Sequence, residues 1–175
     1  MKVIFLDIDG VLNSHRSAVA FGGMPFDVVA HRARFDEIAV RLVGGIAEAA
    51  GAQIVLSSSW RNDVNWTQIG PALGLSISDR TPSLLGPRGR EIAAWLGAHP
   101  EVTAYAIVDD DGDMLPEQTP YFVRTHMQDG FTWDCAMKLA ELMGINIFDV
   151  RRGQPLPAET KTLQWEDAAA PKGTT

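Results

Sequence analysis

The stretch Val3-Ile4-Phe5-Leu6-Asp7-Ile8-Asp9-Gly10-Val11-Leu12-Asn13 decides how the rest of the chain is read. Residues 2–6 form a short apolar run, too brief for a helix and bounded by an Asp-Gly turn signal, which predicts a buried strand. Asp7 and Asp9 stand two apart, so on an extended chain their side chains point to the same side. Gly10 lets the backbone turn and lets a ligand come close. Two carboxylates in one small site repel, which disfavours ionising both unless a cation is present. Asp-Gly also makes ordinary turns, so this stretch alone does not separate a site from a turn.

Two more segments end in the same manner. Residues 53–56 read as a buried strand leading into Ser57-Ser58-Ser59, and residues 105–108 as a strand leading into Asp109. Asp109, Asp110, Asp111 and Asp113 crowd around Gly112, and hard carboxylate oxygens of this kind suit Mg²⁺. A calcium-loop reading fails, because the EF-hand pattern needs Gly at its sixth position, whereas here Gly112 is the fourth residue. Between the strands, residues 36–50 carry Ile38, Leu42, Val43, Ile46 and Ala49 at helical spacing, with Gly51 as a C-terminal stop. Residues 90–98 are helical, and Thr132 caps a helix that runs through Met143 to Gly144. Residues 66–73 form a weaker helix interrupted by Pro71, and short strands are expected at 75–78, 121–124 and 145–148. Residues 14–35 show no clean period and read as an irregular excursion with room for a partly helical stretch.

Strands that alternate with helices predict an α/β fold: a Rossmann-like core with a mostly parallel central sheet and helices on both faces. In such sheets ligands bind beyond the carboxyl ends of the strands. The three strong strands place Asp7 and Asp9, Ser57, and Asp109 and Asp110 at that edge. The expected organisation is one catalytic domain over residues 1–150 and a Pro-, Ala- and Thr-rich tail, 151–175, expected to be mostly disordered.

Composition agrees with a globular chain of 175 residues, 46% apolar and 21% charged. The single cysteine, Cys135, excludes an internal disulfide and a Cys-rich zinc site. Apolar runs fall far short of membrane-spanning length, and the N-terminus does not read as a signal peptide, so a cytoplasmic protein is expected. A net charge of −7 argues against long-range attraction to nucleic acid or anionic lipid. Six of the acids lie in the two clusters, however, and without them the net charge would be −1. A cation bound there would soften the field that a phosphorylated polymer meets.

Taken together, these segments resemble the four motifs of the haloacid dehalogenase (HAD) superfamily, in order. Asp7-Ile8-Asp9-Gly10-Val11 resembles motif I, Ile54-Val55-Leu56-Ser57 motif II, and Ile107-Val108-Asp109-Asp110 motif IV. Motif III, a basic residue opening a helix, would be Arg88 or Arg90. The phrases Ser57-Ser58-Ser59-Trp60-Arg61 and Arg88-Gly89-Arg90-Glu91-Ile92 are similar to the small HAD domains of RNA-repair proteins and, in plan, to polynucleotide 3′-phosphatase domains. The resemblance implies a Mg²⁺-dependent phosphatase in which Asp7 attacks phosphorus and forms an aspartyl-phosphate. Asp9 would act as general acid and base. Ser57, with Ser58 as the alternative, would bind the phosphoryl oxygens, and Arg88 or Arg90 would supply positive charge. Metal ligands would be Asp7, the backbone carbonyl of Asp9, and Asp109 or Asp110.

Two readings of neighbouring residues stay open at this stage. Arg61 could bind a second phosphate and Trp60 could stack on a base, or Trp60 could simply pack. About 40 residues separate Asp9 from the second strand, mostly the helix that any parallel crossover requires. No full cap domain fits, and residues 14–35 are expected to form at most a small flap. The expected substrate is a nucleic-acid 3′-phosphate end or a nucleotide, with repair partners acting in trans. The rivals are a non-catalytic phosphate- and metal-binding module and a receiver-like phosphoacceptor switch.

Overall fold

The structure, a computed structural model, describes residues 1–63 and 65–150. The expected tail, 151–175, lies outside the described residues. Five strands form one sheet: β1 (Lys2–Leu6), β2 (Ala52–Leu56), β3 (Ile77–Arg80), β4 (Ala104–Asp109) and β5 (Phe122–Arg124). Their order is β3-β2-β1-β4-β5, and every neighbouring pair is parallel. The central strand is β1, and Val3, Ile4, Phe5 and Leu6 are all fully buried. Such an unbroken apolar run belongs in a strand covered on both faces.

Side chains alternate between those faces. Ile4, Leu6, Ile54, Leu56, Ala106 and Val108 point toward α2 (Glu37–Ala50), α4 (Ile69–Leu73) and α6 (Trp133–Leu142). Val3, Phe5, Val55 and Ile107 point the other way, onto Ile92 and Trp95 of α5 (Arg88–Ala98). Phe5 and Trp95 meet edge to face with ring centroids 5.3 Å apart. The helix ends are set locally. Asp36 caps α2 by accepting from the backbone N–H groups of Ile38 and Ala39, and Gly51 closes it in the left-handed region. Thr132 caps α6 through the Cys135 N–H, as its position in the sequence predicts.

Residues 14–35 are partly helical, as expected: Ser14 and Ser17 form a capping box that starts α1 (His15–Phe21), and a single 3-10 turn follows at Arg32–Arg34. Three local expectations shift. Residues 145–148 are not a strand; Asn146 accepts from the Phe148 N–H and turns Ile147–Asp149 into a 3-10 turn. Pro71 does not break its helix, because it sits in the first turn of α4, where its missing N–H costs nothing. β3 begins at Ile77 because the Leu75 N–H is still bonded to the Gly70 carbonyl at the end of α4.

Among the described residues no inserted domain interrupts the alternation. The stretch after β1 holds α1 and one turn, and the stretch after β2 holds α3 (Trp60–Asp63), a turn, α4 and β3. No described helix is long and apolar enough to cross a membrane.

The first turn of α5 packs closely on the loop after β4. A Cβ on Gly89 would lie 2.5 Å from the Leu115 backbone nitrogen and 2.5 Å from the Gln118 Oε1. Backbone cannot yield there as a side chain can. Gly89→Ala is therefore expected to cost about 1–3 kcal/mol of stability, as overpacking does. Chemical denaturation checks this.

Candidate active site

Register builds the site. β1 pairs with both neighbours up to Leu6, opposite Leu56 on one side and Val108 on the other. The next residues in the row are Asp7, Ser57 and Asp109. The ladder continues through them, with the Ser57 N–H on the Leu6 carbonyl (2.8 Å) and the Asp7 N–H on the Val108 carbonyl (3.0 Å). By the two-residue alternation these three side chains share the face of Phe5, Val55 and Ile107, which α5 covers. That face brings the N-terminus of α5, and Arg88, to the same place.

Arg88 lies between the two acids. Its Nη1 is 3.2 Å from Asp7 Oδ1, and its Nε is 3.4 Å from Asp109 Oδ2. Its backbone N–H donates to Asp113 Oδ2 at 2.8 Å, so Asp113 supplies the helix cap that Pro87 cannot. The alternative, Arg90, does not join the site. Two residues further round the helix it faces away, is exposed, and lies near Gly86.

Asp110 closes in from the loop after β4. One oxygen each from Asp7, Asp109 and Asp110 lies within 4.8 Å of the other two. Gly10 makes this possible: a Cβ there would lie 2.4 Å from Asp110 Cγ, and the residue sits at φ +68°. The close approach at Gly10 is made by Asp110, where the sequence led us to expect a ligand. Asp109 Oδ1 accepts from the Asp111 N–H at 2.9 Å, while Asp109 Oδ2 is buried without a hydrogen-bond partner. Three hard carboxylates, one with an oxygen that faces Arg88 but accepts no hydrogen bond, fit a divalent cation such as Mg²⁺.

Ser57 and Ser58 are both buried but differ in their contacts. The Ser57 hydroxyl has no hydrogen-bond partner, whereas the Ser58 hydroxyl accepts from the Trp60 N–H at 3.4 Å. Asp9 stands outside the cluster of three acids. Its Oδ1 accepts from Asn13 Nδ2 at 2.7 Å and its Oδ2 from Trp60 Nε1 at 2.8 Å. The backbone carbonyl remains the ligand that the resemblance implies Asp9 would offer a metal.

Trp60 and Arg61 correct the substrate-contact reading. The Trp60 indole is 7% exposed and packs edge-on against Phe35, so it is not an open stacking platform. Arg61 is 4% exposed, and its Nη2 is 2.6 Å from Glu91 Oε2. It also donates to the Ser58 carbonyl. The other oxygen of Glu91 accepts from the Leu84 N–H at 2.9 Å. Arg61 is thus tied up in a buried ion pair between the Ser57–Arg61 segment and α5, and is not free for a second phosphate. Asn13, Glu91 and Gln118 carry no role in a reading of the sequence alone. Asn13 lies in the first motif, four residues past Asp9, and Glu91 in the phrase that opens at Arg88; nothing marks Gln118.

Electrostatics follow the crowding. Burial raises the Asp7 carboxyl to about 6, against the opposing pull of Arg88 and the Ser58 hydroxyl. Burial, then the charge of Asp7, raises Asp109 to about 8. Asp110 is raised as well, mainly by burial. Burial alone would lower Arg88; Asp7 and Asp109 outweigh it and hold the guanidinium firmly charged.

Fold and site together define a domain of the HAD type. A family model described as the HAD domain in Swiss Army Knife RNA repair proteins matches residues 3–136, and the chain belongs to this family. No curated protein and no solved structure matches the chain.

Two predictions follow from this geometry. Asp7 and Asp109 bind protons more readily folded than unfolded, so the metal-free protein gains stability from them at low pH and loses it as pH rises from about 4 toward 8. Melting temperatures in chelator are expected to fall across that window, and Mg²⁺ to restore them most at the alkaline end. A melting temperature indifferent to Mg²⁺ counts against the metal site. Separately, Arg61→Leu leaves Glu91 buried without its partner and is expected to cost about 3–5 kcal/mol. Denaturant titration reads the loss.

Proposed function

We propose that the chain is a Mg²⁺-dependent phosphohydrolase that works through an aspartyl-phosphate on Asp7. The observation that carries this reading is the convergence of Asp7, Asp109 and Asp110 within 4.8 Å, with Arg88 between Asp7 and Asp109. Asp7, Asp109, Asp110 and the Asp9 carbonyl would hold the metal, which when bound offsets the repulsion between carboxylate and phosphate.

The chain's own residues account for the remaining chemistry. A carboxylate oxygen of Asp7 attacks phosphorus and the ester P–O bond breaks. Asp9 gives a proton to the departing alcohol oxygen, then takes one from a water molecule. That water attacks phosphorus, the bond to Asp7 breaks, and inorganic phosphate leaves. The Ser57 hydroxyl, which has no hydrogen-bond partner, would donate to a phosphoryl oxygen. Arg88 holds Asp7 in position and adds positive charge; its planar guanidinium suits phosphate as well as carboxylate.

The substrate we propose is a nucleic-acid 3′-phosphate end, with a nucleotide as the smaller alternative. The family's description, which names RNA repair proteins, supports the first. So does the lack of an inserted domain among the described residues, which leaves room for a large substrate. Repair partners acting in trans belong to the same proposal.

Purified protein with Mg²⁺ is expected to hydrolyse 4-nitrophenyl phosphate and to prefer 3′-phosphorylated oligonucleotides to mononucleotides. Asp7→Asn is expected to lower turnover on the order of a thousandfold or more. The reverse preference points to a nucleotidase. Phosphate and Mg²⁺ binding without turnover points to a binding module, and a long-lived phosphorylated Asp7 to a switch.

A further inference from the structure

The segment Ser57-Ser58-Ser59-Trp60-Arg61 carries a tryptophan that the mechanism above does not use. Its indole N–H reaches Asp9 Oδ2 at 2.8 Å, fifty-one positions away in the chain. On the other side the Asn13 amide reaches Asp9 Oδ1 at 2.7 Å. Both donors are themselves held. Asn13 is fully buried, and its Oδ1 accepts from the Gly10 N–H at 3.2 Å. The Trp60 ring packs on Phe35, centroids 5.8 Å apart, and its backbone N–H faces Ser58 Oγ at 3.4 Å. The Asp9 carboxylate is thus gripped from two directions by side chains with little freedom to move.

We infer that Trp60 and Asn13 are positioning residues that fix the Asp9 carboxylate for proton transfer to the leaving oxygen. A carboxylate has about four lone-pair sites. Two N–H donors, one on each oxygen, fix the orientation of the carboxylate and leave the remaining sites for a proton. Proton transfer needs the acid within hydrogen-bond reach of its target, and small misplacements cost much of the rate. Trp60 follows Ser57 and Ser58 within one short turn. The same segment therefore places a phosphate-facing hydroxyl and steadies the acid that serves the leaving group. This inference rests on the phosphohydrolase reading.

The test compares two esters that carry no nucleobase, so that base stacking cannot enter. 4-Nitrophenol leaves readily without a proton, whereas the alcohol of an alkyl phosphate such as glycerol phosphate needs one. kcat/KM reports the steps through departure of the leaving group, and so isolates the acid role of Asp9. Trp60→Phe keeps a ring against Phe35 and removes the donor. It is expected to lower kcat/KM for the alkyl ester by about tenfold or more beyond its loss on the aryl ester. Asn13→Asp, which keeps the oxygen facing Gly10 and turns an acceptor toward Asp9, is expected to show the same selectivity. It also keeps the question answerable should Trp60→Phe fold poorly. An active wild type whose two variants lose both esters in equal proportion overturns the positioning role alone. A wild type inactive on every phosphate ester overturns the phosphohydrolase reading, and this inference with it.

Discussion

Like-charge crowding at the end of the sheet is the constraint on which the rest of the site depends. Two carboxylates about 4 Å apart repel by roughly 4 kcal/mol at an effective dielectric near 20. Here three acids share such a space, and Asp109 is almost wholly cut off from water. Arg88 relieves part of this repulsion. Burial works in the same direction and is the main reason why the proton affinities of Asp7, Asp109 and Asp110 are raised. An arrangement that unfavourable to the empty protein makes sense as a place for a cation.

The surrounding structure holds that arrangement against its own repulsion. Three parallel strands end in one row, so Asp7, Ser57 and Asp109 cannot separate without breaking the central ladder. Asp113 fixes the first turn of α5, and the Arg61–Glu91 pair ties the same helix to the loop after β2. Gly10 and Gly89 admit close approaches that a methyl group would block. These contacts come from four separate segments, and each bears on where Arg88 or a carboxylate stands.

The net charge of −7 also takes on a different meaning. Read as a total, it opposes a phosphorylated polymer as substrate. Much of it is concentrated in motifs I and IV, where a cation would sit, and the paired acids elsewhere are already matched. Asp36 bonds Arg16, Glu37 bonds Arg32 and Arg41, and Glu91 bonds Arg61. The total is therefore a poor guide to the field at the strand ends.

Much of this was legible in the chain itself. Short apolar runs ending in Asp7, Ser57 and Asp109, separated by helical spacing, are local patterns, and they suffice for a parallel α/β sheet with its site at the carboxyl edge. The order of the four motifs likewise sufficed for the family. What the sequence could not decide were choices between near neighbours and the partners of buried polar groups. Arg88 and Arg90 are equivalent as letters; only the rotation of α5 over the sheet turns one toward Asp7 and the other to solvent. Trp60 and Arg61 read as plausible substrate contacts, because nothing local reveals that Asp9 and Glu91 wait for them across the fold. Composition and periodicity determine elements, since those depend on residues a few positions apart. The partner of a buried N–H or a buried charge depends on residues dozens of positions away, and only the tertiary structure brings these together.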